Sequence, residues 1–229
     1  LVFGVFLVWW SISGIFSMSR VPQWLVPTKA EFSFNTSKLW GKGILPLEAY
    51  QLDYRKLQEH YPELKRVDWV RFADIPAYRI IEGENERYIA ASGTDIVPLD
   101  VPQKTIEEGF RKIHGKDVKM TITVLATYDN YYVNLRRTLE LPVYKVELDD
   151  DDHNLYYVNP RDGYIRYLNK NKIVDKWLFS AIHYLNMGWL VNRPGLWTIC
   201  LWFLCIGCGI VCFTGVVLGI NTWFIRKKK

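Results

Sequence analysis

From residue 196 to 225 the chain runs thirty positions without a charged side chain, and then ends on Arg226-Lys227-Lys228-Lys229. A helix needs about 20 apolar residues to cross the hydrocarbon core of a bilayer, so residues 194–225 are predicted to span one. The basic stretch 226–229 predicts a cytoplasmic tail, because Lys and Arg beside a span are kept on the inner side. A second apolar run opens the chain over residues 1–18, uncharged until Arg20 and carrying Trp9 and Trp10. It predicts a first span whose earliest turns precede Leu1. The competing reading is a cleaved signal peptide, which wants a charged leading region and a small-residue cleavage site. The run offers no charged lead, and Ser11-Ile12-Ser13-Gly14 makes a poor site. Two spans would hold both ends inside and place the intervening residues outside.

Between the two runs the pattern changes twice from helical to alternating. Residues 19–45 form a connector punctuated by Pro22 and Pro27, which break helix. Leu47, Tyr50, Tyr54, Leu57 and Tyr61 recur at spacings of three and four. That single apolar stripe predicts a helix over 46–61. Strands follow at 67–72, 78–82 and 88–91, with a last one at Ile96 and Val97 beyond Gly93. A second helix is predicted at 103–114, with Ile106, Phe110 and Ile113 on one side, His114 beside its last carbonyls and Gly115 as its cap. Strands return at 119–126, 131–135, 143–148, 156–158 and 164–168.

The two halves match. Ile75-Pro76-Ala77-Tyr78-Arg79-Ile80 aligns with Leu141-Pro142-Val143-Tyr144-Lys145-Val146, 66 residues later. Each hexamer leads through an acidic turn to a tyrosine-bearing strand and then to a glycine, Gly93 or Gly163. Pro76, Tyr78 and Gly93 therefore define a first repeat, 46–100, and Pro142, Tyr144 and Gly163 a second, 101–170. The expected fold is α+β, with helices packed on antiparallel sheets between two transmembrane helices. Residues 171–193 are expected to hold an interfacial amphipathic helix, continuous from 172 to 190.

Composition narrows the function. The net charge is +5, but with the last four residues set aside 25 basic residues face 24 acidic ones. A nearly neutral domain is not built to hold nucleic acid electrostatically. All four cysteines, Cys200, Cys205, Cys208 and Cys212, lie in the second apolar run. Thiolates are unfavourable in such surroundings, so these read as packing residues, with metal or redox use as the alternative. The acidic turn Asp149-Asp150-Asp151-Asp152 reads as a solvated hairpin tip rather than a calcium loop, which needs oxygens converging on one point. Arg136-Arg137 and the pairs Tyr131-Tyr132 and Tyr156-Tyr157 are expected to alternate across strands, one tyrosine of each pair facing the core. No H-E-x-x-H, G-x-S-x-G, Walker or dinucleotide fingerprint occurs, so no catalytic residue is assigned. Gly215 and Gly219 have the spacing that lets membrane helices approach closely, to the first span or to another copy. His183, beside Phe179 and Met187 near the second span, is the candidate cofactor ligand. Its alternative role is an interfacial histidine that packs the helix.

The Pro-x-Tyr strands, the tyrosine-to-glycine hairpins, the segment Trp177-Leu178-Phe179-Ser180-Ala181-Ile182-His183-Tyr184-Leu185 and the run Arg193-Pro194-Gly195-Leu196-Trp197 together resemble the PepSY-associated transmembrane protein family of bacteria. The resemblance covers nearly the whole chain, and the order of its parts carries more weight than any single motif. It implies an inner-membrane protein with a tandem PepSY-like domain in the periplasm and the C-terminus in the cytoplasm. It implies a non-enzymatic interaction or regulatory module acting on peptidases or other envelope proteins; the apolar runs and the glycine spacing add the lipid bilayer and a second copy of the chain as expected partners. The alternative that it implies is a membrane reductase linked to ferric siderophores. There haem b would be the cofactor and His183 an axial ligand, the second ligand lying ahead of Leu1 or on another protomer.

Overall fold

The structure is a computed structural model that describes residues 2–18, 21–136 and 138–227. Arg20, Arg137, Lys228 and Lys229, which entered the charge reading, lie outside the described residues. The chain forms two compact units: Leu1–Thr28, Tyr128–Leu139 and Lys170–Lys229 make the first, Lys29–Thr127 and Glu140–Asn169 the second.

The second unit is α+β and holds two antiparallel sheets. Strands β1 (Leu64–Phe72), β2 (Ile75–Glu82), β3 (Asn85–Ala90) and β4 (Val97–Pro98) pair in sequence order, and so do β5 (Met120–Leu125), β6 (Val143–Leu148), β7 (Leu155–Val158) and β8 (Ile165–Leu168). Alternation along a strand sends successive side chains to opposite faces. Thus Tyr78 and Ile80 on β2 and Ile89 on β3 meet Leu52 and the Leu57 of helix α3 (Arg55–His60). Phe72 and Ala77, on the reverse face, enter a different core. There they join Val146, Leu148, Tyr156 and Val158 of the second sheet, Ile106 and Phe110 of helix α4 (Gln103–His114), and Leu39 and Trp40 of helix α2 (Ser37–Trp40). In each half a helix precedes a four-stranded meander and packs on the face that carries the Pro-x-Tyr tyrosine. The β2–β3 turn takes residues 83–84 and the β6–β7 loop takes 149–154. Those four extra residues explain why Pro142 follows Pro76 by 66 positions while Gly163 follows Gly93 by 70.

Helix α4 occupies the predicted residues. The helix expected over 46–61 does not form as one piece: a 3-10 turn (Leu47–Ala49) and α3 are separated at Leu52. The backbone N–H groups of Gln51 and Leu52 donate to the Ala91 carbonyl at 2.7 and 3.2 Å. Asp53 Oδ1 then accepts from the Arg55 N–H at 3.0 Å and restarts the helix. A tertiary bond to the strand end outcompetes the local ladder.

Three further expectations are corrected. Residues 131–135 form no strand, because Asp129 Oδ1 takes the N–H groups of Tyr131 and Tyr132 at 2.8 and 2.6 Å and folds them into a turn. One tyrosine pair does not split as expected: Tyr132 is buried and Tyr131 only half-buried, but Tyr156 and Tyr157 are both buried, since β7 is covered on both faces. The helix expected over 172–190 is broken into α5 (Lys170–Asp175), a π-helical turn (Lys176–Ala181) and α6 (Gly188–Val191). Buried Lys176 donates its Nζ to the Asn186 carbonyl at 2.9 Å, drawing the chain back on itself, and Leu185 sits at φ +52°. Gly188 is required here. A Cβ at that position would lie 2.6 Å from the Asp129 carbonyl, whose backbone has no room to yield.

Helices α1 (Val2–Met18) and α7 (Pro194–Lys227) are the apolar elements of the first unit. The 30 residues Pro194–Trp223 are long and apolar enough to cross a membrane, and Ile199, Phe213 and Leu218 on them are exposed. Helix α1 is shorter: its 17 residues reach about 25 Å at 1.5 Å per residue. Phe3 packs on Phe203, ring centroids 5.2 Å apart, and fills the space left by Gly207. Gly207, not Gly215 or Gly219, is therefore the close-approach glycine of this pair. Gly215 and Gly219 meet nothing within 4 Å among the described residues.

Candidate functional site

His183 follows the π-helical turn, and its ring lies among Trp10, Phe179 and Tyr184 at centroid distances of 5.2, 5.1 and 5.1 Å. Trp10 Nε1 donates to the His183 carbonyl at 3.2 Å. Buried Ser13 Oγ lies 2.8 Å from the Trp10 carbonyl and 3.2 Å from His183 Nδ1. A hydroxyl has one proton to give. The carbonyl can only accept, so that proton goes to Trp10 and His183 Nδ1 is the donor to Ser13. The ring is thereby held with Nε2 as its remaining nitrogen, the arrangement that ligating histidines share.

The surrounding space does not fit a haem. The cavity beside the ring, lined by Phe6, Leu201, Leu204, Cys205 and Cys208, has a volume of about 10 Å³, at the threshold for a single water. The described residues also contain no cluster of three or more His, Cys, Asp or Glu side chains able to hold a metal ion. His60, His114 and His153 belong to the second unit. What the geometry supports at His183 is a polar clasp joining α1 to the segment that follows the π-helical turn. The sequence marked His183 but not its partners. The signal was Ser13, a lone hydroxyl inside an otherwise apolar run.

The second unit holds a larger cavity of about 220 Å³. Its walls are Phe34, Tyr156 and Tyr167, with Ile113, His114 and Asn154 beside them and Glu31 and Lys38 at its lining. Tyr156 stacks on Tyr167 at 4.9 Å and meets the Phe34 ring edge-on at 5.0 Å. Polar groups are fixed inside. His114 Nε2 lies 3.1 Å from Tyr156 Oη, Tyr167 Oη donates to Asn154 Oδ1 at 2.7 Å, and Asp150 takes both the backbone N–H and the Nδ2 of Asn154 at 2.9 and 2.6 Å. The aspartate tip thus braces the pocket from its loop. His114, expected at the helix carbonyls, instead faces this pocket, while Gly115 caps the helix through its N–H to the Arg111 carbonyl.

Burial pushes the Tyr156 hydroxyl well above the usual tyrosine range, and the nearby Asp150 and Glu31 charges add to the effect. Tyr167 is pushed up to about 12, chiefly by burial, with Asp152, Asp150 and Glu31 contributing. Burial lowers His114 below its ordinary value of 6.5, and Lys38 adds to that; Asp150 opposes it. A depressed histidine means that the unfolded chain binds the proton more readily. The contribution of His114 to stability is complete above about pH 6.5 and is lost as pH falls toward the folded value. The second unit is expected to lose stability over that interval in chemical denaturation, and His114→Gln to flatten the slope. A wild-type slope unchanged by the substitution would reject His114 as its origin.

No family model, no curated protein and no solved structure matches this chain.

Proposed function

We propose that the chain is a membrane-anchored interaction module whose second unit works outside the cytoplasm and regulates peptidases or other proteins of the bacterial envelope. The observation that carries this reading is α7. Thirty residues without a charge, carrying large exposed apolar side chains, call for lipid around them, since exposed apolar surface of that extent is costly in water. In the same reading α1 is the second membrane helix, held within the first unit by the Ser13–His183 and Trp10–His183 bonds. The two helix-plus-meander halves support a tandem PepSY-like domain by their shared strand order. Residues 46–170 carry 22 acidic and 18 basic side chains, a balance that suits a protein or peptide partner better than a nucleic acid.

The test uses the full chain in its membrane. The protein should stay in the pellet after alkaline carbonate extraction. A cysteine introduced at the β6–β7 tip, Asp151→Cys, should react with a membrane-impermeant maleimide added to intact cells, against a background set by the four native cysteines of α7. Purified protein should also slow casein digestion by the envelope fraction. Release by carbonate, or labelling only after the cells are broken, would overturn the placement. A reduced Soret band at one haem per chain would replace the regulatory reading with the reductase.

A further inference from the structure

We propose that the cavity walled by Phe34, Tyr156 and Tyr167 recognises the guanidinium side chain of an arginine in an extended peptide segment, a proposal that rests on the interaction reading in taking a peptide as the source.

Three features of the cavity converge on that chemistry. The first is size. A 150 Å³ cavity holds benzene, so at about 25 Å³ per heavy atom 220 Å³ holds about nine. An arginine side chain, with about seven beyond its Cα, fits with its backbone at the mouth. The second is the wall. Three aromatic rings line one side, Tyr156 at 5.0 Å from Phe34 and 4.9 Å from Tyr167, with Phe34 and Tyr167 6.1 Å apart, and a planar cation stacks on such surfaces.

The third is charge. Glu31 is at the lining, and Asp150 lies directly behind Asn154. Asp152 accepts the Lys29 backbone N–H at 3.2 Å and lies close enough to raise Tyr167. The Tyr167 hydroxyl therefore feels the negative charge of Asp152, Asp150 and Glu31, and the Tyr156 hydroxyl that of Asp150 and Glu31. The polar groups inside, Tyr156 Oη with His114 and Tyr167 Oη with Asn154, are already paired with one another. They leave a cation to be held by ring faces and the outer carboxylate rather than by displacing internal bonds.

The structure also shows what stands in for the ligand. Lys38 Nζ lies 2.7 Å from Glu31 Oε1, and both side chains are exposed, at 44% and 65%. An exposed pair of this kind adds little to stability, so an incoming guanidinium displaces Lys38 at small cost and gains a bidentate carboxylate partner.

The experiment uses the full chain in detergent micelles and titration calorimetry with acetyl-Ala-Arg-Ala-amide, its citrulline counterpart and methylguanidine. Citrulline keeps the shape and removes the charge. The arginine peptide should bind at least about tenfold more tightly than the citrulline peptide, a difference of about 1.4 kcal/mol. Glu31→Gln should weaken it several-fold. Lys38→Met should tighten it, because the resident cation is gone. Both variants change exposed side chains, so circular dichroism and Tm should be unaltered. Equal binding of the two peptides, no binding by the folded wild type at millimolar peptide, or weaker binding after Lys38→Met would each overturn the proposal. Methylguanidine binding as tightly as the peptide would overturn the peptide as its source. A chain that binds the arginine peptide yet is released by carbonate keeps the pocket and loses the envelope reading, so the two failures are distinguishable.

Discussion

Replacing Phe110 by alanine should destabilise the second unit by about 3–5 kcal/mol, the range for emptying a fully buried aromatic site. Phe110 is 0% exposed. Its ring lies 4.6 Å from Tyr156, 6.1 Å from Phe34 and 6.2 Å from His114. The residue sits on α4 one turn beyond Ile106, also fully buried, and together they fasten the helix to the core that both sheets share. Domains of ordinary stability keep only about 5–15 kcal/mol in reserve, so the loss is a large fraction of the total. Urea denaturation in detergent, followed by far-ultraviolet circular dichroism, measures it. Lys104→Ala on the exposed side of the same helix, where the side chain is 85% exposed, is the control and should change stability by less than about 0.5 kcal/mol. A Phe110→Ala cost below about 1 kcal/mol would mean that this core is not packed as described. The same variant removes the support behind Tyr156 and Phe34 and should widen the aromatic pocket.

Gly163→Ala should cost about 2–5 kcal/mol, while Gly93→Ala should be near neutral. Gly163 is at φ +71° in the β7–β8 turn, and an added Cβ would run into the Phe72 ring. The left-handed backbone alone costs an alanine about 1–2 kcal/mol, and overpacking a tight contact adds about 1–3 kcal/mol. Little can move to relieve it. Phe72 meets Trp40 at 5.4 Å, and Trp40 Nε1 is tied to the Gly163 carbonyl at 2.8 Å. Gly93 shares none of this, with no positive φ and nothing within 4 Å of an added Cβ. Thermal unfolding of the two variants side by side measures the contrast. Equal effects would show that the turn at Gly163 is not held against Phe72.

These two glycines show how far the sequence could be read. Both were visible as the closing glycines of two matching halves, because turn chemistry and a tyrosine-bearing strand before each are local signals. Which of them is needed was not visible, since Phe72 reaches Gly163, 91 positions further along, only after the two halves have folded into one core. The aromatic pocket was hidden for the same reason. Phe34 stood in a connector, His114 at a helix end and Tyr156 in a strand, and no spacing rule links them. The candidate histidine was legible as a polar residue beside an apolar span, while its partners Trp10 and Ser13 come from the opposite end of the chain.

What the sequence determined by itself was whatever short-range periodicity encodes. That includes the uncharged run of α7, the three-and-four spacing of α4, and the alternating strands that make an α+β fold with two antiparallel meanders. Tertiary structure decided the rest, because there a distant group competed with a local preference and won. The Ala91 carbonyl captured the N–H groups that would have continued the helix at Leu52. Asp129 turned a strand-like stretch into a tight turn, and Lys176, bonding to Asn186, broke an amphipathic helix. The contact between α1 and α7 falls at Gly207, where the Phe3 side chain occupies the space that a Cβ would need.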